Sequence, residues 1–299
     1  MKESFCKKYS TTQQQINLLK ARGLIINDEK KVADYICNIG YFRLSAYFYP
    51  FLKSPKENHV YKANSTFKQV MDIYRFDRKL RLLLFNEIEK IEVAIRSCIV
   101  NTACDLLEDI FWITNPAFFY NRKKFDFAIS SIDSEIHKSK EDFITHFKET
   151  YTDSYPPAWM IVEILPLGTL CYMYMNLKDT SLKKRIAQHF GLQIPTFNSW
   201  ITILAGLRNM CCHHTRTWNR ELPVIPSEPK QITHPWINSD GIDKKRMYYR
   251  ICMIYYFLFT VSSNNTFKQK LKELLNHYPN VDIRAMGFPT NWEKEPLWM

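Results

Sequence analysis

The stretch Leu207–Arg220, LRNMCCHHTRTWNR, places one arginine, two cysteines and two adjacent histidines inside seven positions. These residue types can ligate a metal, pair a thiol with a base, or contact a phosphodiester; a helix of odd composition is the fourth reading. Consecutive helical residues point about 100° apart, so Cys211, Cys212, His213 and His214 cannot all reach one ion. Zinc sites use spaced pairs such as C-x2-C or H-x3-H, which this stretch does not contain. A cysteine nucleophile with an adjacent histidine as base has the same geometric fault. RNA chemistry asks for less: cleavage through the neighbouring 2'-hydroxyl needs a base near neutrality and a planar cation for the charge on the phosphorane. Arg208 and His213 supply that pair without a metal. On an unbroken helix they lie about 140° apart, and a two-fold dimer solves this by turning both helices towards one cleft. On residue types alone, a helix end with exposed basic and aromatic side chains remains an equal alternative.

The elements that must position these residues read as helices. Only 7 glycines occur in 299 residues, far below the usual ~7%, which argues against turn-rich β architecture and against glycine-rich phosphate loops. Hydrophobic residues make up 46% of the chain, enough for a sizeable core in one large domain or in a main domain with smaller lobes. The formal charge of +11 and a pI near 9.1 come from basic groups spread along the chain, among them Lys7-Lys8, Arg122-Lys123-Lys124 and Lys183-Lys184-Arg185. That balance favours a polyanionic partner, although lysine-rich helices can also be merely solvated. The opening MKESFCKKYS lacks an apolar signal core, and the apolar run ICMIYYFLFTVSS is too short to span a bilayer, so a cytoplasmic location without membrane association is expected. The 8 cysteines then read as reduced thiols, mostly buried.

Along the chain, Thr11 or Thr12 can cap a short helix that stops at Gly23, and Asn27 a second one that stops at Gly40. With the aromatic YFRLSAYFYPF they form an N-terminal lobe over residues 1–60; its rings serve packing more readily than base stacking. From Ser65 a long helix is predicted, because Leu80, Leu84, Ile88, Ile91, Ile95 and Ile99 recur at steps of three and four. Beside that stripe Glu92 and Arg96 can form a surface ion pair worth ~0.3–0.5 kcal/mol; the second reading has them orient a nearby site. Residues 125–150 are predicted as one amphipathic helix, and Pro166 kinks or ends another. A helix from about Thr196 to Glu221 carries the opening stretch, four prolines between 223 and 235 force an extended connection, and helices follow over about 243–261 and on to about Tyr278. The bundle is assigned to 61–262 and the C-terminal helical extension to 263–299.

LRNMCCHHTRTWNR resembles the RN-x3-H form of the R-x4-6-H motif of HEPN domains, helical bundles that include many metal-independent RNases. The rest of the chain resembles the Abi-like family of bacterial abortive-infection, phage-resistance proteins, through LLKARGLIINDEKKVADYICNIGYFRLSAYFYPF, YRFDRKLRLLLFNEIEKIEVAIR, PPAWMIVEILPLGTL and MGFPTNWEKEPLW, blocks spanning about residues 12–298. The resemblance implies an all-α, HEPN-type helical bundle, dimeric, acting on RNA in phage defence or as a toxin-like growth inhibitor, with an RNA or protein antitoxin as the kind of partner that neutralises it. Arg208 takes the motif arginine, Asn209 the polar position after it and His213 the motif histidine. His214, Arg216, Trp218, Asn219 and Arg220 match the family's extension, and Glu92 and Arg96 its IE-x3-R block. RNA-guided RNases of type VI CRISPR systems use the same R-x4-H spacing. Toxins paired with a nucleotidyltransferase often carry a tyrosine two residues after the histidine as the target of AMP addition; Thr215 stands there instead.

The expected activity is endonucleolytic cleavage of RNA without metal or cofactor. His213 moves the proton, Arg208 holds the phosphate, Asn209 positions the phosphate or the histidine, and Arg216 and Arg220 steer the backbone. His214 is the alternative histidine, and Trp218 is divided between packing and stacking on substrate. A non-catalytic RNA-binding or sensor protein with the same basic motif is the rival expectation.

Overall fold

The computed structural model describes residues 4, 6 and 8–299, and among them the chain is all-helical, with twelve α-helices, seven short 3-10 turns and no strand beyond three isolated bridges. Part of the opening decapeptide, Lys7 of its basic pair included, lies outside the described residues. No helix among the described residues is long and apolar enough to cross a membrane. The chain divides into two compact units, residues 1–80 with 273–282, and residues 81–272 with 283–299. The division falls within the long helix that begins at Phe67, at 80/81.

In the first unit, α1 (Thr12–Ala21) opens on a capping box: Thr11 Oγ1 accepts from Gln14 N at 3.3 Å, while Gln14 Oε1 accepts from Thr11 N at 2.8 Å. The cap of α2 (Glu29–Ile39) is Asp28, whose carboxylate accepts from Lys31 N at 2.9 Å, and not the neighbouring Asn27. Two adjacent Asx residues offer the same chemistry, and register chose between them. Gly40, at φ +92°, ends α2 and starts α3 (Tyr41–Phe48). Leu44, Tyr47 and Phe48 of α3 are buried, as a packing role requires, and the Tyr47 hydroxyl donates to Asp77 at 2.6 Å; Phe42 is exposed.

A single helix, α4 (Phe67–Leu107), runs for 41 residues, about 60 Å at 1.5 Å per residue. Its stripe of Leu80, Leu84, Ile88, Ile91, Ile95 and Ile99 is buried throughout. Instead of one helix over 125–150, the second unit has two, α5 (Arg122–Lys138) and α6 (Asp142–Thr150), broken at residues 139–141. Pro157 precedes α7 (Ala158–Ile164), and Pro166 separates it from α8 (Leu167–Asn176). Helices α9 (Thr180–His189) and α10 (Ile194–Cys212) follow, and α8 packs against both α5 and α10.

The core of this unit is α11 (Met247–Val261), where every residue from Met247 to Leu258 is buried, the pattern of a helix enclosed on all sides. Its one charge, Arg250, is 2% exposed and donates to the carbonyls of Leu222, Val224, Lys244 and Arg246 at 2.5–3.4 Å. Burial pushes its pKa down to about 10, and the four carbonyls repay the desolvation by using its planar fork of donors. In this way the proline-rich connection after α10 is tied to the core. The chain continues through α12 (Phe267–His277) to its last described residues.

Candidate functional site

Helix α10 is shorter than its sequence pattern predicts: it ends at Cys212, not near Glu221. His213 is its C-cap, with its N–H on Asn209 O at 2.9 Å, and His214 takes the left-handed conformation at φ +56°. Thr215 N reaches back to Met210 O at 2.9 Å and His214 N to Cys211 O at 3.1 Å, the paired bonds of a Schellman stop. A glycine would have announced this turn. Histidine does not, because left-handed geometry costs a side-chain-bearing residue roughly 1–2 kcal/mol and sequence patterning places it elsewhere.

Beyond the stop, the segment is held rather than displayed. Arg81 Nη1 approaches Thr215 O at 3.5 Å, and Thr217 and Trp218 are 1% and 3% exposed. Of the two roles expected for Trp218, packing is the one this burial permits; its ring faces no open solvent on which a base could stack. Asn219, at φ +48°, accepts from Arg246 Nη1 at 3.4 Å. Arg216 and Arg220 are half-buried, whereas His213 and His214 are exposed.

The surface pair expected of Glu92 and Arg96 is instead an almost buried one: their side chains are 12% and 11% exposed, and Arg96 Nη2 lies 2.5 Å from Glu92 Oε1. Arg96 also donates to Val162 O at the end of α7's second turn, tying α4 to α7. The other oxygen of Glu92 faces Arg208 Nε at 3.5 Å, and Arg208 remains 42% exposed. A carboxylate enclosed on one side by a buried arginine therefore grips the inner edge of Arg208. Contact at Nε leaves the terminal guanidinium nitrogens of Arg208 for an outside ligand.

Arg208 belongs to the wall of a cleft of about 330 Å³ between α5, α8 and α10, to which Phe127, Gly168, Tyr172, Ala205 and Asn209 also contribute. The sequence brought Arg208 and Asn209 to attention and missed Phe127 and Tyr172, because nothing in a one-dimensional pattern joins them to α10. His213 is not part of this cleft's lining. Within one chain the structure thus assembles Arg208, Asn209, Glu92 and Arg96, and leaves His213 on the exposed helix end about 140° further round. No group of three histidine, cysteine or carboxylate side chains suited to a metal ion occurs among the described residues. Cys211 and Cys171 are buried, and desolvation pushes the Cys171 thiol up to about 12; a thiol so placed is a packing residue, not a nucleophile.

No curated protein and no solved structure matches the chain. The family model described as Abi-like protein matches residues 34–219, a span that holds Glu92, Arg96 and the whole of the motif from Arg208 to Asn219 and leaves Arg220 just outside. With more than half of its length matched by that model, this chain belongs to the Abi-like protein family.

Proposed function

We propose that the protein is a metal-independent endoribonuclease of HEPN type, acting in abortive infection or as a toxin-like growth inhibitor. The observation that supports this best is the grip on Arg208: Glu92 holds its Nε edge at 3.5 Å while the side chain stays 42% exposed on an open cleft. A guanidinium fixed from behind is a preorganised donor for a phosphoryl oxygen whose charge grows in the transition state. Asn209, beside it on the cleft, is the polar partner for the same phosphate. His213, exposed at the end of α10, takes the proton of the attacking 2'-hydroxyl or gives one to the leaving 5'-oxygen. The bond formed joins the 2'-oxygen to phosphorus, the bond broken is that to the 5'-oxygen, and the product is a 2',3'-cyclic phosphate. Membership of the Abi-like family fits an abortive-infection setting, and in this proposal the destruction of RNA is what arrests the infected cell.

The test is incubation of purified protein with total RNA, beside an Arg208→Ala/His213→Ala double variant, with and without EDTA. Cyclic-phosphate ends formed by the wild type in EDTA, and absent with the double variant, support the reading. Loss of cleavage on chelation, restored by magnesium, overturns it.

A second reading, a non-catalytic RNA-binding or sensor protein, is favoured by one observation: Arg208 and His213 do not share a cleft within a single chain. RNA retention without turnover at any protein concentration establishes that reading instead.

A further inference from the structure

The cleft beside Arg208 has an aromatic rim, where Phe127 of α5 meets Tyr172 of α8. On α5, Phe125, Ala128 and Ile132 face the core, whereas Phe127 is 71% exposed. Its ring is nevertheless ordered against Tyr172 of α8, edge to face, with centroids 5.9 Å apart and planes at 72°. Lys124, one turn earlier on α5, holds its ammonium 5.8 Å from the Tyr172 ring. The lining is open at Gly168, where an added Cβ meets nothing within 4 Å. The lining contains no carboxylate, and Arg208 is its one charge.

An exposed phenylalanine costs solvation, and this one borders an uncrowded, cationic recess. The space of about 330 Å³ lies at the small end of ligand sites, which run from ~300 to 1,000 Å³, a size that suits one small group. We infer that Phe127 and Tyr172 form a stacking platform for one base of a single-stranded RNA, next to the phosphate contact at Arg208, so that the enzyme's substrates are unpaired segments. The inference rests on the nuclease reading for the identity of the polyanion. Bases in single strands and loops are free to leave the stack and lie on aromatic faces, whereas in A-form duplexes they are already stacked and the deep groove is closed to side chains. Lys124, with its ammonium near the Tyr172 ring, adds positive charge beside the platform for the flanking backbone.

The experiment compares binding of a single-stranded oligoribonucleotide carrying 2-aminopurine with binding of a blunt duplex of the same sequence, at fixed salt in EDTA. Wild type, Phe127→Ala and Phe127→Trp are measured, with thermal melts to show that each is folded; the exposure of Phe127 makes a folding defect unexpected. Phe127→Ala should weaken single-strand affinity about 5- to 100-fold, the range for losing one base–aromatic stack, and abolish quenching of the 2-aminopurine. Phe127→Trp should restore both, and duplex affinity should move less than twofold. Equal losses on single strand and duplex, or no loss on either, overturn the platform. A Phe127→Ala variant that sediments as a smaller species than wild type also overturns it, since the ring then belongs to an interface between copies.

Because affinity and quenching need no turnover, the two readings separate. Cleavage by wild type with unchanged binding in Phe127→Ala removes the platform and leaves the nuclease. Quenching without cleavage removes the nuclease and leaves the platform. Absence of any RNA binding removes both.

Discussion

Arg208 is the residue on which the proposed chemistry turns, and its surroundings say how to test it. Lysine keeps the charge but loses the planar fork that meets Glu92 with one edge and two phosphoryl oxygens with another. Arg208→Lys should therefore lower the single-turnover cleavage rate about 10²-fold or more, in the range for losing one preorganised donor. RNA affinity, which sums over many lysines and arginines, should stay within a few-fold in filter binding at fixed salt. Equal losses in rate and affinity would make Arg208 a binding residue. Glu92 is the positioning residue behind it, shared between Arg96 at 2.5 Å and Arg208 at 3.5 Å. Glu92→Gln should cost about 1.5–3 kcal/mol of stability, as for a lost hydrogen bond to a charged group, visible in denaturant titrations. It should also reduce cleavage under conditions where the variant is fully folded, and Glu92→Asp should recover part of that rate. Cleavage that does not change with the carboxylate would confine Glu92 to bracing Arg96 against α7.

At the scale of the element, the end of α10 separates two histidines that the sequence leaves side by side. His213 still belongs to the last hydrogen-bonded turn, and His214 is the left-handed residue that stops it. His213→Ala should lower cleavage ~10²–10⁴-fold, as expected for losing a general acid or base, without affecting the melt. His214→Gly preserves the turn, because glycine takes positive φ without strain, and so isolates the second imidazole; its cleavage rate should remain close to wild type. His214→Val keeps the position filled but places a branched Cβ at φ +56°, a conformation that β-branched residues adopt still more rarely than histidine, and should lower the melting temperature relative to wild type. A near-dead His214→Gly enzyme beside an active His213→Ala enzyme would transfer the proton role to His214.

At the scale of the molecule, the proposed chemistry needs both Arg208 and His213, and only Arg208 lines the cleft. On that proposal the site is built across a two-fold axis, with the arginine of one protomer facing the histidine of its partner. Sedimentation should show a dimer. Mixing inactive Arg208→Ala and His213→Ala proteins should restore up to about a quarter of wild-type activity, since half the mixed assemblies are heterodimers and each of those has one intact composite site. A monomer cleaving at full rate, or mixtures that remain dead after subunit exchange, would remove the composite site.

Much of this molecule can be read from its residues in order. The scarcity of glycine and the three- and four-residue steps from Leu80 to Ile99 announce helices, because helical periodicity is a property of neighbours within one or two turns. Thr11 with Gln14 announces a helix start for the same reason, and Arg208, Asn209 and His213 stand in one short string. What lies beyond a turn or two was decided only by packing. That Glu92 is almost buried and faces Arg208 depends on the registers of α4 and α10 against each other, to which no local pattern is sensitive. The stop at Cys212 came from a histidine accepting a conformation its type disfavours, stabilised by two backbone bonds and by burial of Thr217 and Trp218 downstream. The sequence left Trp218 divided between packing and stacking; the fold enclosed it and left Phe127, which the sequence did not single out, at the edge of a cleft. Which side of a helix becomes the inside is a property of its neighbours in space, and those neighbours are distant in the chain.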